Sequence, residues 1–138
     1  MPIEPAEGPP KKVLICDDDE TLVEILAKLL SDSRFNVTTA FDGFQCLEKL
    51  IEERPDALLL DLDMPNKDGF QIMEALNRDK RLPHPHIIVL SGHEKTGDKD
   101  RALQLGAKHF FIKPFICKDV LAAVKAMLEP EVKTDAPA

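Results

Sequence analysis

A short apolar run that ends at an aspartate, residues 57–60 followed by Asp61, most constrains the fold of this chain. A segment that is apolar at every position, rather than at alternate positions, is typical of a parallel strand that is covered on both faces. The run is also too short for a helix of ordinary length. Asp61 must then lie where the strand leaves the core. The sequence therefore indicates a layered α/β fold with an acidic group at one edge of its sheet.

Strand-length apolar runs alternate with amphipathic helical segments along most of the chain. The pattern predicts strands at residues 12–16, 35–40, 57–60, 86–90 and 109–112. It predicts helices at residues 20–31, 43–53, 69–80, 98–105 and 118–128. Units of this kind form an open doubly wound sheet, so we predict a single (βα)5 domain of the α/β class. Helical spacing further predicts that one face of the second helix packs inward: Phe44, Leu47, Leu50 and Ile51.

The order of the strands decides whether the acidic residues meet. Asp17 and Asp18 follow the first strand, and Asp61 follows the third. We predict the strand order 2-1-3-4-5, which places these strands side by side where the sheet reverses and ligands bind. Neighbouring strands lie about 4.8 Å apart, so the carboxylates would face each other. Their repulsion requires a cation or a shared proton, which suggests a site. Ser91 and Lys113, at the ends of the fourth and fifth strands, would add a hydroxyl and an ammonium.

Composition narrows the possible functions. The length of 138 residues suits one domain, which we place at residues 11–129 between proline-containing, mobile tails at residues 1–10 and 130–138. The second tail is either an end or the start of a linker.

A net charge of −7 without a basic cluster argues against direct nucleic-acid binding by this domain. Without a long apolar run or a signal peptide, we expect a cytoplasmic protein without membrane spans. Buried, reduced thiols are expected at three positions: Cys16, Cys46 and Cys117.

Taken in order, these residues resemble the receiver domain of response regulators in two-component, or phosphorelay, signalling. The resemblance covers about residues 11–129 and rests on a series of features at strand ends. They are Asp17-Asp18, Asp61 with Met64-Pro65 and Asp68-Gly69, Ser91-Gly92, Phe110, and Lys113-Pro114. The resemblance implies a flavodoxin-like fold similar to that of chemotaxis receivers. It also implies a signalling module rather than a turnover enzyme.

The resemblance implies a role for each acidic residue. Asp61 would accept a phosphoryl group from a sensor histidine kinase or a histidine phosphotransfer protein. Mg²⁺, or Mn²⁺, would be held by Asp18 and Asp61, by Asp17 mostly through water, and by the main-chain carbonyl of Asp63. Oxygen ligands suit Mg²⁺, which offsets charge while a carboxylate attacks a phosphoryl group. Lys113 would pair with a phosphate oxygen as a point charge.

The resemblance also implies a switch. Ser91 would donate its hydroxyl to the phosphoryl group, and Phe110 would rotate from exposed to buried. The face formed by the fourth helix, fifth strand and fifth helix would then change shape, and a downstream effector protein or domain, or a second copy in a phosphorylation-linked homodimer, would bind it. Asp63 and His93 would flank the path of the hydrolytic water and tune the phosphoryl lifetime, in a direction that the residues leave open. The bond between Lys113 and Pro114 is expected to be cis.

A haloacid-dehalogenase-like phosphohydrolase is the alternative reading of Asp61 and Asp63, as nucleophile and acid/base. In that family the nucleophile ends the first strand, and an acidic pair follows the lysine. Here Asp61 follows the third predicted strand, and no acidic pair ends a strand after Lys113. A zinc site is also disfavoured, because no zinc motif matches the spacing of the histidines: His84, His86, His93 and His109.

Overall fold

The computed structural model describes residues 9–92 and 96–129, in which parallel strands alternate with helices. The strands are β1 (Lys12–Cys16), β2 (Asn36–Ala40), β3 (Ala57–Asp61), β4 (His86–Ser91) and β5 (Ala107–Ile112). The helices are α1 (Glu20–Asp32), α2 (Gly43–Glu53), α3 (Gly69–Arg78), α4 (Asp98–Gln104) and α5 (Cys117–Leu128). Most of the two predicted tails, residues 1–8 and 130–138, lies outside the described residues, as does His93.

The predicted order of elements is confirmed, with small shifts at their ends. Helix α3 ends at Arg78, before the predicted residue 80, because Asp79 takes an extended backbone and its carboxylate accepts from the Arg81 N–H. Strand β5 begins at Ala107, before the predicted residue 109. Ala107 pairs with Ile87 across an irregularity in the register, and the sequence pattern does not reveal a bulge of this kind.

The sheet has the order β2-β1-β3-β4-β5, as the flavodoxin-like prediction required. Cys16 pairs with Leu60, so the residues after β1 and at the end of β3 reach the same edge. Backbone hydrogen bonds continue past the strands. The Leu62 N–H donates to the Leu90 carbonyl at 3.2 Å, and the Lys113 N–H donates to the Ser91 carbonyl at 2.7 Å. The ends of β3, β4 and β5 therefore form one continuous backbone frame.

Two apolar clusters cover the faces of the sheet. Leu14, Leu58 and Leu60 pack with α2 and α3 on one face, whereas Ile15 and Leu59 pack with α1 and α5 on the other. Every residue of β3 is buried, as its apolar run predicted. Each fully buried leucine contributes about 1.5–3 kcal/mol to folding, so the central strand is firmly anchored.

The prediction for the buried face of α2 is wrong at two positions. Phe44 and Ile51 are 59% and 54% exposed, and the helix buries Gly43, Cys46 and Leu50 instead. Gly43 approaches the loop after β3 so closely that a Cβ there would lie 2.1 Å from the Lys67 carbonyl oxygen. With Gly43 held against this loop, Cys46 and Leu50 face the sheet and Phe44 is left exposed.

Two further sequence-level expectations concern thiols and membrane spans. Cys16 and Cys46 are buried free thiols as predicted, but Cys117 at the start of α5 is only partly buried. None of the described helices has the length and apolar character needed to cross a bilayer.

Candidate functional site

The acidic residues of the candidate site lie at the ends of the two central strands. Asp17 follows β1, and its N–H donates to the Ala40 carbonyl of β2 at 3.1 Å. Asp61 is the last residue of β3. Both side chains are buried, with exposures of 0% and 2%, whereas Asp18 is exposed. Two acidic groups are therefore held in the protein with little access to water, and a third is at the surface beside them.

The structure brings the three acids together. One carboxylate oxygen from each of Asp17, Asp18 and Asp61 lies within 4.8 Å of the others. This closeness follows from the pairing of β1 with β3, since each strand delivers its acid to the same edge. Carboxylates at such distances repel each other strongly when buried, so the arrangement is unfavourable without a compensating cation.

Lys113 supplies part of that compensation. Its Nζ lies 2.8 Å from Asp17 Oδ2 and 3.7 Å from Asp61 Oδ1. The short contact with Asp17 is an ion pair that compensates the charge of this fully buried carboxylate. The sequence indicated that Lys113 would reach the site, but not that it would bind Asp17 rather than a phosphate.

The surroundings alter the acid–base properties of both partners. Burial, followed by the charge of Asp17, raises the pKa of Asp61 to about 6, although Lys113 opposes the shift. Burial alone would lower the pKa of Lys113, but the contact with Asp17 and the charge of Asp61 outweigh it and raise the pKa. Lys113 is therefore a permanent cation, while Asp61 is an unusually basic carboxylate that is still mostly ionised above neutral pH.

Backbone amides orient the buried carboxylates. The Asp63 N–H donates to Asp61 Oδ1 at 3.3 Å, and the Asp19 N–H donates to Asp17 Oδ1 at 2.9 Å. Asp19 in turn caps α1 by accepting from the Leu22 N–H at 3.1 Å. The turns after β1 and β3 therefore fix the direction of each acid, and the start of α1 is tied to the same turn.

Gly69 allows α3 to begin directly beside the site. A Cβ at this position would lie 2.6 Å from the Asp61 carbonyl oxygen and 2.9 Å from Leu62 Cα. Asp68, one residue earlier, forms a reciprocal capping box with Gln71. The pair Asp68-Gly69 thus starts the helix, and the sequence alone did not indicate how close the glycine lies to the Asp61 backbone.

The remaining predicted site residues lie along β4 and β5. Ser91 ends β4 and is 1% exposed. Phe110 is partly buried and packs against the core cluster that contains Met73. The peptide bond between Lys113 and Pro114 is cis. Ser91 and Phe110 therefore lie on adjacent strands, and α4 packs against the second of these strands, β5.

The three acids fit a hard divalent cation. They offer only oxygen ligands, they converge within 4.8 Å, and two of the three, Asp17 and Asp61, are buried. Ions such as Mg²⁺ prefer this donor set and complete their coordination with water. The exposed position of Asp18 leaves one side of the cluster open to such waters and to a substrate.

The sequence of this chain is similar to that of response regulators over most of its length. The family model described as the response regulator receiver domain matches residues 13–125. The chain is 39% identical over 118 residues to the alkaline phosphatase synthesis transcriptional regulatory protein PhoP of Bacillus subtilis, covering 86% of this chain and 48% of that protein. It is 38% identical over 118 residues to the transcriptional regulatory protein PrrA of Mycobacterium leprae, covering 85% and 49%. The chain thus spans about half the length of these curated relatives.

Solved structures resemble the fold over nearly its whole described length. The chemotaxis protein CheY4 of Vibrio cholerae has a TM-score of 0.77 at 27% identity, covering 86% of this chain and 99% of that one. The signal receiver domain of the response regulator NarL from Mycobacterium tuberculosis has a TM-score of 0.77 at 29% identity, covering 90% and 100%.

Proposed function

Since the chain belongs to the response regulator receiver domain family and acts in phosphorylation-dependent signalling, we propose that Asp61 is its phosphoacceptor. One observation carries this assignment. Asp61 is a buried carboxylate that ends the central strand, with two further acids within 4.8 Å and Lys113 at 3.7 Å. An anionic nucleophile surrounded by cation ligands and one fixed ammonium suits attack on a phosphoryl group.

In the proposed reaction, a carboxylate oxygen of Asp61 attacks the phosphorus of a donor's phosphohistidine. The new P–O bond gives an aspartyl phosphate, the P–N bond breaks, and the departing imidazole takes up a proton. Lys113 holds its charge beside the site throughout and would pair with a phosphoryl oxygen. Ser91, buried at the end of β4, would donate its hydroxyl to another.

Asp17, Asp18 and Asp61 would hold Mg²⁺ or Mn²⁺, together with the main-chain carbonyl of Asp63. When bound, such an ion neutralises negative charge as two anions approach each other. The burial of Asp17 beside Asp61 supports this role for the buried acid, whereas the exposure of Asp18 suits a ligand at the open side.

We further propose how the signal is passed on. The donor would be a sensor histidine kinase or a histidine phosphotransfer protein in the cytoplasm. The α4–β5–α5 face would report the phosphorylated state, with Phe110 rotating inward, to an effector protein, an attached output domain or a second copy of the chain. PhoP and PrrA are transcriptional regulatory proteins, and they exceed the matched region by about half their length. An attached output is therefore consistent with the relatives.

The chain is a receiver module rather than a typical enzyme. Its only proposed catalysis is on itself, in accepting and hydrolysing the phosphoryl group at Asp61, with Asp63 and His93 tuning the lifetime. The phosphohydrolase alternative has no support, because Asp61 ends the third strand of the sheet rather than the first.

Labelling with a small phosphodonor tests the assignment. Acetyl phosphate with Mg²⁺ should add one phosphoryl group to the protein, mapped to Asp61 by peptide mass spectrometry after borohydride trapping. Asp61→Asn should abolish the label, whereas the control Asp32→Asn, at an exposed acid at the far end of α1, should keep it. A label mapped to another residue, or one retained in Asp61→Asn, would contradict the proposal.

A further inference from the structure

Helix α4 is weakly held by its own sequence. It has seven residues, Asp98–Gln104, of which only Ala102 is buried. Its N-cap, Gly97, makes no side-chain hydrogen bond to the first turn. A helix this short is marginal by itself, and most helices gain their stability by burying an apolar face. Contacts with other elements must therefore determine where α4 lies.

Polar side chains connect α4 to α3. Arg101 Nη2 lies 2.6 Å from Glu74 Oε2, and the guanidinium carbon lies 4.0 Å from the centroid of the Phe70 ring. One side chain of α4 thus binds two positions of α3, through an ion pair and through a cation–π contact. At the end of α4, Asn77 Nδ2 donates to the Leu105 carbonyl at 2.7 Å and satisfies a group that the helix leaves free.

We propose that Arg101 is a positioning residue of the switch, holding α4 on α3 and so favouring the unphosphorylated conformation. The inference rests on the proposed function, because it requires that phosphorylation at Asp61 changes the α4–β5–α5 face. The structure is that of the unmodified chain, with Lys113 paired to the free carboxylates of Asp17 and Asp61. A change at Asp61 that moves α4 relative to α3 would lengthen the Arg101 contacts, and contacts that are stronger in one of two conformations shift the equilibrium toward it.

The packing around Phe70 links this clamp to the switch residues. Phe70, Leu105 and Phe110 all pack as partly buried side chains against the same core cluster. A Phe110 ring that turns inward would therefore enter the same core layer that α3 and α4 cover. Residues Glu74 and Arg101 are about half exposed, so water weakens their attraction without abolishing it. From the usual strength of exposed ion pairs and cation–π contacts, we expect loss of the clamp to change the conformational equilibrium about threefold to tenfold.

Variants at both ends of the contact test the proposal. Arg101→Ala and Glu74→Ala remove the ion pair from either side, and Arg101→Lys keeps the charge but loses the planar group above Phe70. Arg81 offers a matched control, because it forms a similar exposed pair with Asp79, with Nε 3.0 Å from Oδ1, and this pair lies in the turn after α3. Each protein is measured by amide hydrogen exchange of α4 without phosphodonor, by the initial rate of Asp61 labelling with acetyl phosphate, and by thermal unfolding.

We expect Arg101→Ala and Glu74→Ala each to speed exchange in α4 and to raise the labelling rate about threefold to tenfold. The double variant should add little to either single one, Arg101→Lys should be intermediate, and Arg81→Ala should match the parent. A merely structural role would lower the melting temperature without raising the labelling rate. Unchanged or slower labelling, or additive effects of the two single variants, would overturn the proposal.

Labelling at Asp61 and hydrogen exchange in α4 together separate the phosphoacceptor hypothesis from the Arg101 hypothesis. If the parent protein is not labelled at Asp61, the proposed function fails, whatever the exchange data show. If the parent is labelled but α4 exchanges equally in the parent and in Arg101→Ala, the clamp is refuted while the phosphoacceptor assignment stands. Should Arg101→Ala not fold, Glu74→Gln removes the same charge pair from the exposed side of α3.

Discussion

The Lys113 ammonium lies 2.8 Å from Asp17 Oδ2, closer than its 3.7 Å approach to Asp61. In the unmodified chain the lysine therefore pairs chiefly with Asp17, the fully buried acid of the cluster. A phosphoryl group arriving at Asp61 would compete with Asp17 for this cation. The ion pair thus links the stability of the site to its proposed chemistry.

Replacing the lysine should destabilise the protein. We expect Lys113→Met to lower the free energy of unfolding by about 2 kcal/mol near pH 7, because it leaves buried Asp17 and Asp61 without a cation. Urea denaturation followed by circular dichroism in EDTA measures the change, and the exposed Lys125→Met is the control. Adding Asp17→Asn to Lys113→Met should recover much of the loss. A double variant less stable than Lys113→Met would contradict this account of the pair.

Asp61 should make stability fall as the pH rises. Its pKa is raised from 3.8 to about 6, so the folded chain binds more protons than the unfolded chain between these values. The stability associated with the neutral form is present at low pH and is lost as the pH rises through about 6. In EDTA, Asp61→Asn should therefore stabilise the protein by about 2–3 kcal/mol above pH 7 and by much less near pH 4.

Urea titrations of the parent and Asp61→Asn across this pH range provide the measurement. Asp32→Asn, at an exposed acid at the far end of α1, controls for the loss of one negative charge. A gain in stability that does not depend on pH would show that burial and Asp17 do not disfavour the charge of Asp61.

Mg²⁺ binding should depend on the exposed acid as well as the buried ones. We expect Asp18→Ala to weaken Mg²⁺ binding at least tenfold, since even outer-shell groups contribute about this much to metal affinity. The chain contains no tryptophan or tyrosine, so calorimetry or NMR titration suits it better than intrinsic fluorescence. Asp32→Ala is the matched control, and a parent-like titration of Asp18→Ala would rule out the proposed metal site.

A methyl group at position 69 should disturb the site through its backbone. Gly69→Ala would place a Cβ 2.6 Å from the Asp61 carbonyl oxygen, and we expect a loss of about 1–3 kcal/mol. At Gly92 a Cβ meets no atom of the described residues within 4 Å, so Gly92→Ala should change the free energy of unfolding by less than about 0.5 kcal/mol. Thermal and urea denaturation of both variants tests the difference, and equal stability would show that α3 moves away at little cost.

The elements and the acidic edge could be predicted because their signals are local. An unbroken apolar run indicates a strand that is covered on both faces, and Asp61 at its end must emerge with the strand. Asp17 and Asp18 reach the same place because β1 is the neighbour of β3. The cluster thus depends on the strand order, which follows from the predicted fold class, and on the ends of two strands, which the sequence pattern marks.

The contacts that determine the details have no such signal. Helical spacing does not reveal that the close approach of Gly43 to Lys67 turns Phe44 outward. The preference of Lys113 for Asp17 over Asp61 depends on side-chain distances of 2.8 and 3.7 Å, which the sequence does not reveal. Arg101 and Glu74 are separated by 27 residues, and only the packing of two helices brings them together.

The sparse burial of α4 has a consequence for how such a chain can diversify. Lys99, Leu103 and Gln104 point to solvent and contribute little to the core, so substitutions there cost the fold almost nothing. The buried acids at the carboxyl ends of β1 and β3, Asp17 and Asp61, have no comparable freedom. A lineage could therefore acquire new binding preferences by drift along one short helix, while the ancestral chemistry is inherited unchanged.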